Sequence, residues 1–168
     1  TGEIWPEKIV EIEPSNSNSG NVVWEWHLWD HLVQDVDSAL SNFGTISDNP
    51  GRLDANSVAV PGFGSHGYSG DWLHANSIFY NPLLDQIVIS CRRSCEFYVI
   101  DHSTSTEEAA GQSGGNYGKG GDFLYRWGNP QLYGRGSESD KQLFHQHCVN
   151  WIPEGFPGAG NFILFNNG

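Results

Sequence analysis

The stretch that decides the fold is HANSIFYNPLLDQIVISCRRSCEFYVID, residues 74–101. It holds three short apolar runs, 77–80, 86–91 and 96–101, and each has the length of a β-strand. Turn residues separate the runs: Asn-Pro followed by Asp85 fills the first gap, and the polar segment 92–94 fills the second. Apolar runs joined by such short connections predict neighbouring antiparallel strands in one sheet.

The rest of the chain continues this pattern in both directions. Further strand-like segments lie at 8–12, 22–27, 122–127, 148–152 and 161–165. No long window keeps a helical apolar period. The best helical candidate is the short segment HLVQDVDSALSNF, residues 31–43, whose apolar residues fall roughly on one face. The sequence therefore predicts an all-β chain.

The order of these segments repeats along the chain. KIVEIEPSNSNSGNVVWEW (8–26) and the segment from EFYVID to GDFLYRW (96–127) both contain a strand, a polar Gly-containing loop and a strand ending in aromatic-x-Trp. HANSIFYNPLLDQIVIS (74–90) and HCVNWIPEGFPGAGNFILF (147–165) both begin with His and contain two strands around a Pro-containing turn. A recurring unit of four antiparallel strands predicts the blades of a β-propeller.

The repeat also predicts how the chain is divided. We expect a half blade at about 4–27, an insertion at 28–73, a full blade at about 74–127 and a half blade at about 147–168. Because propellers have about four to eight blades, these roughly two blades predict that the chain is part of a larger ring. The absence of Met from the 168 residues fits the same expectation.

Composition excludes several classes of partner. The chain has 20 acidic and 8 basic residues and a net charge of −12, so its surface repels phosphate backbones and nucleic acid is not expected as a partner. No apolar run reaches the roughly 20 residues of a membrane span. The three cysteines are too few for a disulfide scaffold and lack zinc spacing, although Cys91 and Cys95 could close a short loop in an oxidising compartment.

Two of the seven histidines are favoured as site residues by the repeat. His74 and His147 fall at the same place in successive repeats, before the first strand of a blade. Since the innermost strand lines the propeller channel, both should face one funnel. Arg92 directly follows the second strand of the full blade. A guanidinium beside two imidazoles suits the binding of an oxyanion.

Other chemistries fit the sequence less well. His145-x-His147 and the pair His27 and His31 have spacings that can chelate, but no carboxylates accompany them, so we predict no metal. GFGSHG (62–67) lacks the spacing of a hydrolase nucleophile, and GGNYGKGG (114–121) lacks that of a phosphate-binding loop. No cofactor is predicted.

Five longer motifs resemble the arylsulfotransferase family, whose members move a sulfuryl group between phenols without a nucleotide sulfate donor. The resemblance covers nearly the whole chain, from about residue 22 to residue 168. The motifs are VVWEWHLWDHL (22–32), DWLHANSIFYNPLLDQIVISCR (71–92), FYVIDHST (97–104), GKGGDFLYRWGNPQ (118–131) and LFHQHCVNWIPEGFPGAGNFILFNNG (143–168).

The resemblance implies roles for particular residues. His147 matches the histidine that accepts the sulfuryl group, so transfer would proceed by a ping-pong mechanism. His74 and Arg92 match the residues that grip the sulfuryl oxygens, with Asn76 in the same substrate-binding segment. His31 matches the remaining active-site histidine, which would assist the departing phenolate. The sequence departs from the family pattern at Cys148, where Asp is common.

The resemblance also implies a setting. Family members are six-bladed propellers, act on small phenols and aryl sulfates, and occur in secreted or periplasmic locations. The missing strands would come from the remainder of a longer protein or from a homo-oligomer. Two other readings stay open from the residues alone: a non-catalytic propeller that serves as a structural or ligand-binding module, and a lectin-like propeller that binds sugars or polyphenols through exposed Trp residues.

Overall fold

The computed structural model describes residues 3–59 and 70–168. In this part of the chain ten strands account for most of the regular structure, and the one α-helix, α1 (Thr106–Ala109), is a single turn. The strands are β1 (Lys8–Asn16), β2 (Ser19–His27), β3 (Leu32–Val33), β4 (Leu53–Asp54), β5 (Ala75–Asn81), β6 (Gln86–Cys91), β7 (Glu96–Asp101), β8 (Tyr125–Trp127), β9 (His147–Trp151) and β10 (Phe162–Phe165). The prediction of an all-β chain is confirmed.

The central unit is a four-stranded antiparallel sheet in the order β5-β6-β7-β8. Strands β6 and β7 pair without irregularity from Gln86 opposite Asp101 to Cys91 opposite Glu96. Strand β5 pairs with β6 from Asn81 opposite Gln86, with a register shift between Ala75 and Ser77. This is the sheet that the opening stretch of sequence predicts, and it has the form of a propeller blade.

The two faces of this sheet pack against different neighbours, because side chains alternate along each strand. On one face Ile87, Ile89, Tyr98 and Ile100 share a core with Trp26 and other residues of the β1-β2 hairpin. On the other face Val88, Phe97 and Val99 share a second core with Trp151 and Phe162 of the β9-β10 hairpin. The chain thus forms three stacked β layers, as expected of part of a propeller.

Connections between the layers are irregular. The segment after β2 contains a 3-10 helix (Leu28–His31) and the short parallel pair β3-β4. Three more 3-10 helices are Ile46–Asp48, Pro130–Tyr133 and Glu138–Asp140. No helix in residues 3–59 and 70–168 has both the length and the apolar character required to cross a membrane.

The predicted helix at 31–43 is wrong. His31 ends a 3-10 helix, Leu32 and Val33 form β3, and turns follow to Phe43. The side chain of Gln34 organises these turns: its Oε1 accepts from the backbone N–H groups of Val36 and Asp37 at 2.8 and 2.7 Å. A side chain that takes backbone donors in this way competes with the hydrogen bonds of a helix.

The division into half blade, insertion, full blade and half blade stays a prediction. Within the described residues the strands at 8–27, 75–127 and 147–165 form separate sheets. Residues 60–69 of the predicted insertion, including the whole GFGSHG motif at 62–67, lie outside the described residues.

Candidate functional site

His74 and Arg92 come together where β5 begins and β6 ends. Because these strands are antiparallel, the residue before β5 lies beside the turn after β6. The backbone N–H of Arg92 donates to the carbonyl of His74 at 3.1 Å, and that of Arg93 donates to the carbonyl of Leu73 at 2.9 Å. The structure therefore places these two predicted residues side by side.

The His74 ring is anchored on one side and open on the other. Its Nδ1 lies 2.5 Å from Oδ2 of Asp71, and that same oxygen accepts from Nη2 of Arg93 at 3.3 Å. The His74 side chain is 43% exposed. Since Nδ1 is engaged, Nε2 is the ring nitrogen left for a ligand.

Asp71 is held ionised by these two partners. Its partial burial raises the pKa of the carboxyl, but hydrogen bonds and charge from His74 and Arg93 outweigh burial and bring this pKa below its usual value. Neither Asp71 nor Arg93 was among the residues that the sequence singled out. The only sequence signal for Asp71 is its position three residues before His74 in the motif that begins at residue 71.

His147 is the first residue of β9, which packs against β5 and β6. Two contacts join the strands near it: Nδ2 of Asn76 donates to the carbonyl of Gln146 at 2.7 Å, and the N–H of Val149 donates to Oγ of Ser77 at 3.0 Å. The segment that carries His147 is thereby attached to the segment that carries His74 and Asn76.

Gln146 fixes this segment from beneath. Its side chain is completely buried, and Nε2 lies within hydrogen-bond distance of Oγ of Ser90 and the carbonyls of Cys91 and Glu96, at 3.1, 3.1 and 2.8 Å. The residue just before His147 is therefore bound to both central strands of the sheet. Sequence reasoning missed Gln146 because nothing in its spacing distinguishes it from an exposed Gln.

The start of β5, the turn after β6 and the start of β9 meet at what we call the junction, and several basic groups lie there. The pKa of His145 is lowered, first by burial and then by the like charges of Arg92, Lys141, Arg93 and His147. These five residues come from the turn after β6, the segment before β9 and the first position of β9. In a chain with a net charge of −12, such a cluster of basic groups favours an anion. His145 is a further residue that the sequence left without a role.

Several polar atoms at the junction have no partner. Five buried side-chain nitrogen or oxygen atoms in the described residues lack a hydrogen bond, and four of them belong to Glu7, Asn76, Arg93 and Gln146. Buried polar atoms are nearly always satisfied in folded proteins, so this group of atoms is suited to hydrogen-bond a bound water or a ligand.

Backbone conformation distinguishes the same region. His74, His145 and Cys148 have positive φ angles of 56°, 54° and 58°. Non-glycine residues rarely adopt this left-handed conformation, and residues that do so cluster at functional sites.

His31 lies elsewhere. Its ring is completely buried in the core and stacks on Trp26, with the ring centroids 5.3 Å apart. Its Nδ1 is 2.8 Å from Oδ1 of Asp122, and its Nε2 is 2.8 Å from the carbonyl of Ala109. Both ring nitrogens thus have internal partners, and His31 does not share the contacts that join His74, Arg92, Asn76 and His147.

An open cavity of about 430 Å³ adjoins His74, and Trp5, Pro6, Glu7 and Asp71 form its other main walls. The Trp5 side chain is exposed, and the residue is fixed by a hydrogen bond of 2.7 Å from its N–H to the carbonyl of Gly70. Burial raises the pKa of Glu7. Cavities of about 540 and 610 Å³ occur at other parts of the sheets, and none of the predicted site residues lines them.

The cysteines are unpaired in this structure. Cys91 and Cys95 are free and buried, and Cys148 is free and exposed. Burial, followed by the charges of Glu7 and Glu96, raises the pKa of the Cys91 thiol well above its ordinary value. Within residues 3–59 and 70–168 no group of His, Cys, Asp and Glu side chains has an arrangement that could hold a metal ion.

The comparisons with known proteins agree with the motifs. The profile of the family described as arylsulfotransferase (ASST) matches residues 6–168. The comparisons with curated proteins and with solved structures gave no match. The family match spans all three β layers and the whole junction described above. This chain therefore belongs to the arylsulfotransferase family.

Proposed function

We propose that this protein transfers a sulfuryl group from an aryl sulfate ester to a phenolic acceptor, through a sulfo-histidine at His147. The observation that carries the proposal is the cluster of basic groups at the junction of β5, β6 and β9, in a chain with a net charge of −12. An aryl sulfate is a small anion with an apolar ring, and it requires both a local positive charge and an adjoining apolar wall.

The reaction divides into two displacements. In the first, a neutral ring nitrogen of His147 attacks sulfur, an N–S bond forms, the bond from sulfur to the aryl oxygen breaks, and the phenolate leaves. In the second, the oxygen of the acceptor phenol attacks sulfur, the N–S bond breaks, and the phenol proton passes to a base or to solvent. Covalent transfer to the protein makes the kinetics ping-pong.

Other residues of the junction would bind the sulfuryl group during its transfer. Arg92 presents a planar fork of donors, and His74 offers Nε2 from the side opposite Asp71, so both can donate to sulfuryl oxygens. Asn76 already uses Nδ2 to hold the Gln146 carbonyl, which supports a role in positioning the segment of His147 as well as in binding substrate.

The aryl ring would lie in the cavity beside His74. Trp5 supplies an exposed aromatic face there, and Pro6 supplies further apolar surface. With the sulfuryl group at His74 and Arg92, a ring of the size of phenol fits a volume of about 430 Å³.

The assistance of His31 to the departing phenolate stays a prediction. Direct contact with a phenolate would require the His31 ring to give up its partners, Asp122 and the carbonyl of Ala109. Its stacking on Trp26 and complete burial favour a contribution to the stability of the core.

We also propose that more propeller strands cover the outer layers, either from the remainder of a longer protein or from a second copy. Apolar side chains on the outer hairpins are exposed, among them Ile12 and Val22 on one and Ile163 and Phe165 on the other. Exposed apolar surface of this kind marks contact regions. The family assignment supports small phenols and aryl sulfates as partners and a secreted or periplasmic location.

The test is transfer from p-nitrophenyl sulfate to a phenol, with the rate measured from the release of p-nitrophenolate. We expect His147→Ala to lower the rate by at least about 10³-fold, since it removes the nucleophile. His27→Ala is the matched control, because the His27 side chain pairs with Glu25 at the surface, and it should keep the wild-type rate.

Mass spectrometry after incubation with the donor alone should find one sulfuryl group on His147. Failure of the wild type to transfer, or equal rates for His147→Ala and wild type, would overturn the proposal. Binding of aryl sulfates without transfer would instead support the non-catalytic module, for which the Cys148 departure provides a reason.

A further inference from the structure

We propose that Asp71 is a positioning residue for the sulfuryl-binding His74, and that it sets which ring nitrogen faces the substrate. This inference rests on the proposed function and deepens it. It starts from the contact of 2.5 Å between His74 Nδ1 and Asp71 Oδ2, the shortest of the histidine–carboxylate distances in the described residues.

The backbone of His74 makes such an anchor necessary. With φ at 56°, His74 occupies a left-handed conformation that is uncommon for a non-glycine residue. A ring that is 43% exposed would otherwise rotate freely about its side-chain bonds.

Asp71 also connects the His74 ring to the turn after β6. Its Oδ2 accepts from both His74 and Arg93, and the backbone of Arg93 bonds Leu73 at 2.9 Å. Asp71 itself is fixed by a backbone bridge to Trp5. The carboxylate therefore connects three segments: the turn after β6, the residues before β5 and the residues before β1.

The chemical consequence concerns the proton on the ring. A carboxylate that accepts from Nδ1 keeps the proton on that nitrogen and leaves Nε2 on the open side. When the ring carries both protons, it can donate from Nε2 to a sulfuryl oxygen while it still donates from Nδ1 to Asp71. Without Asp71, the ring would have neither a fixed orientation nor a fixed tautomer.

The chain supplies a matched control. His102 makes the same kind of pair with Asp85, with Nδ1 and Oδ1 2.8 Å apart. Asp85 lies in the turn between β5 and β6, at the end of β5 opposite to His74. Asp71→Asn and Asp85→Asn therefore each remove one carboxylate partner of a histidine, but only the first lies at the proposed site.

Two readouts test the role. Proton NMR of the intact chain should show a downfield signal from the His74 Nδ1–H, assigned by its loss in His74→Gln. We expect Asp71→Ala to abolish this signal and Asp85→Asn to leave it in place. In steady-state transfer from p-nitrophenyl sulfate, Asp71→Asn should lower kcat/KM by about 10- to 100-fold, the range of a lost charge-assisted hydrogen bond.

The outcomes separate the possibilities. Equal losses of activity in Asp71→Asn and Asp85→Asn would show a general effect on stability and overturn the positioning role. An unchanged His74 signal in Asp71→Ala, or an unchanged kcat/KM in Asp71→Asn, would overturn it too. If the wild type transfers nothing, the proposed function fails, while the NMR comparison still decides whether Asp71 fixes the His74 ring.

Discussion

At the scale of the residue, histidine–aspartate pairs recur in this chain. Three histidines bond an aspartate through Nδ1: His31 with Asp122, His74 with Asp71, and His102 with Asp85. They differ in burial, since His31 is completely enclosed and the other two reach the surface. The same chemical pair thus serves the core in one place and an open junction in another.

The Asp85 pair predicts a specific dependence of stability on pH. Hydrogen bonding from His102, then from Tyr80, lowers the pKa of Asp85 against the opposing effect of burial. A carboxyl whose folded pKa lies below its unfolded value stabilises the fold above the unfolded pKa, near 3.8, and loses that effect as the pH falls toward the folded pKa.

Asp85→Asn should therefore lower the free energy of unfolding at pH 7 by at most about 1 kcal/mol, because the side chain is 38% exposed and solvent screens the pair. Urea titrations at pH 7 and pH 3 measure the difference between variant and wild type. We expect the difference to shrink at pH 3. A difference that grows in acid would contradict the assignment. Asn suits the left-handed backbone at this position, where φ is 51°.

Trp5 is an exposed aromatic residue in the wall of the cavity beside His74. If its exposed indole forms the aromatic wall of the aryl cavity, Trp5→Ala should raise KM for p-nitrophenyl sulfate about three- to tenfold, the range of one aromatic contact, with little change in kcat. Trp29→Ala is the control, because Trp29 is similarly exposed but does not line the cavity. Equal KM values for wild type and Trp5→Ala would remove Trp5 from the binding site.

At the scale of the element, Gln146 attaches β9 to the central sheet. Replacing it with Ala removes hydrogen bonds to Ser90, Cys91 and Glu96 from a fully buried position. We expect Gln146→Ala to lower the free energy of unfolding by about 2–4 kcal/mol. Gln142→Ala, a change at an exposed Gln in the same segment, should cost almost nothing. Chemical denaturation of both variants measures the contrast, and similar losses would contradict it.

The strands of the central sheet were predictable because local and global signals agree there. The bounds 86–91 and 96–101 predicted for β6 and β7 match the structure. Both strands have an uninterrupted apolar centre, 87–89 and 97–100, because both faces of the sheet are covered, and turn residues limit them on each side. The segment 31–43 misled because its apolar spacing suits a helix, whereas Val36 and Leu40 are exposed and the buried Gln34 directs the turns.

The candidate site was predictable only in part. The antiparallel pairing of β5 and β6 follows from the turn between them, so the proximity of His74 and Arg92 could be inferred. The anchoring by Asp71 and Arg93 depends on the left-handed backbone of His74, which no sequence pattern indicates. The burial of His31 depends on packing with Trp26 and Asp122, which lie far apart in the sequence.

At the scale of the whole molecule, charge and packing act on different parts of the chain. Acidic residues are spread along the whole sequence, while three of the eight Lys and Arg residues act together with His145 and His147 at the junction of β5, β6 and β9. Such an arrangement keeps anions away from most of the molecule and attracts them at one place. The proposed binding of a sulfate ester to an acidic protein depends on this local arrangement.

The central sheet has apolar cores on both of its faces, and this has a consequence for cooperativity. Both faces of the sheet would expose apolar side chains to water if a neighbouring layer were missing. We therefore expect the layers to fold together, as in a one-dimensional array in which each unit is stabilised by its neighbours. The proposed site lies at the interface between the central sheet and the β9-β10 hairpin, since His74 and Arg92 belong to the first and His147 to the second. Loosening of that interface would separate the proposed nucleophile from its proposed anion-binding partners before the chain unfolds as a whole.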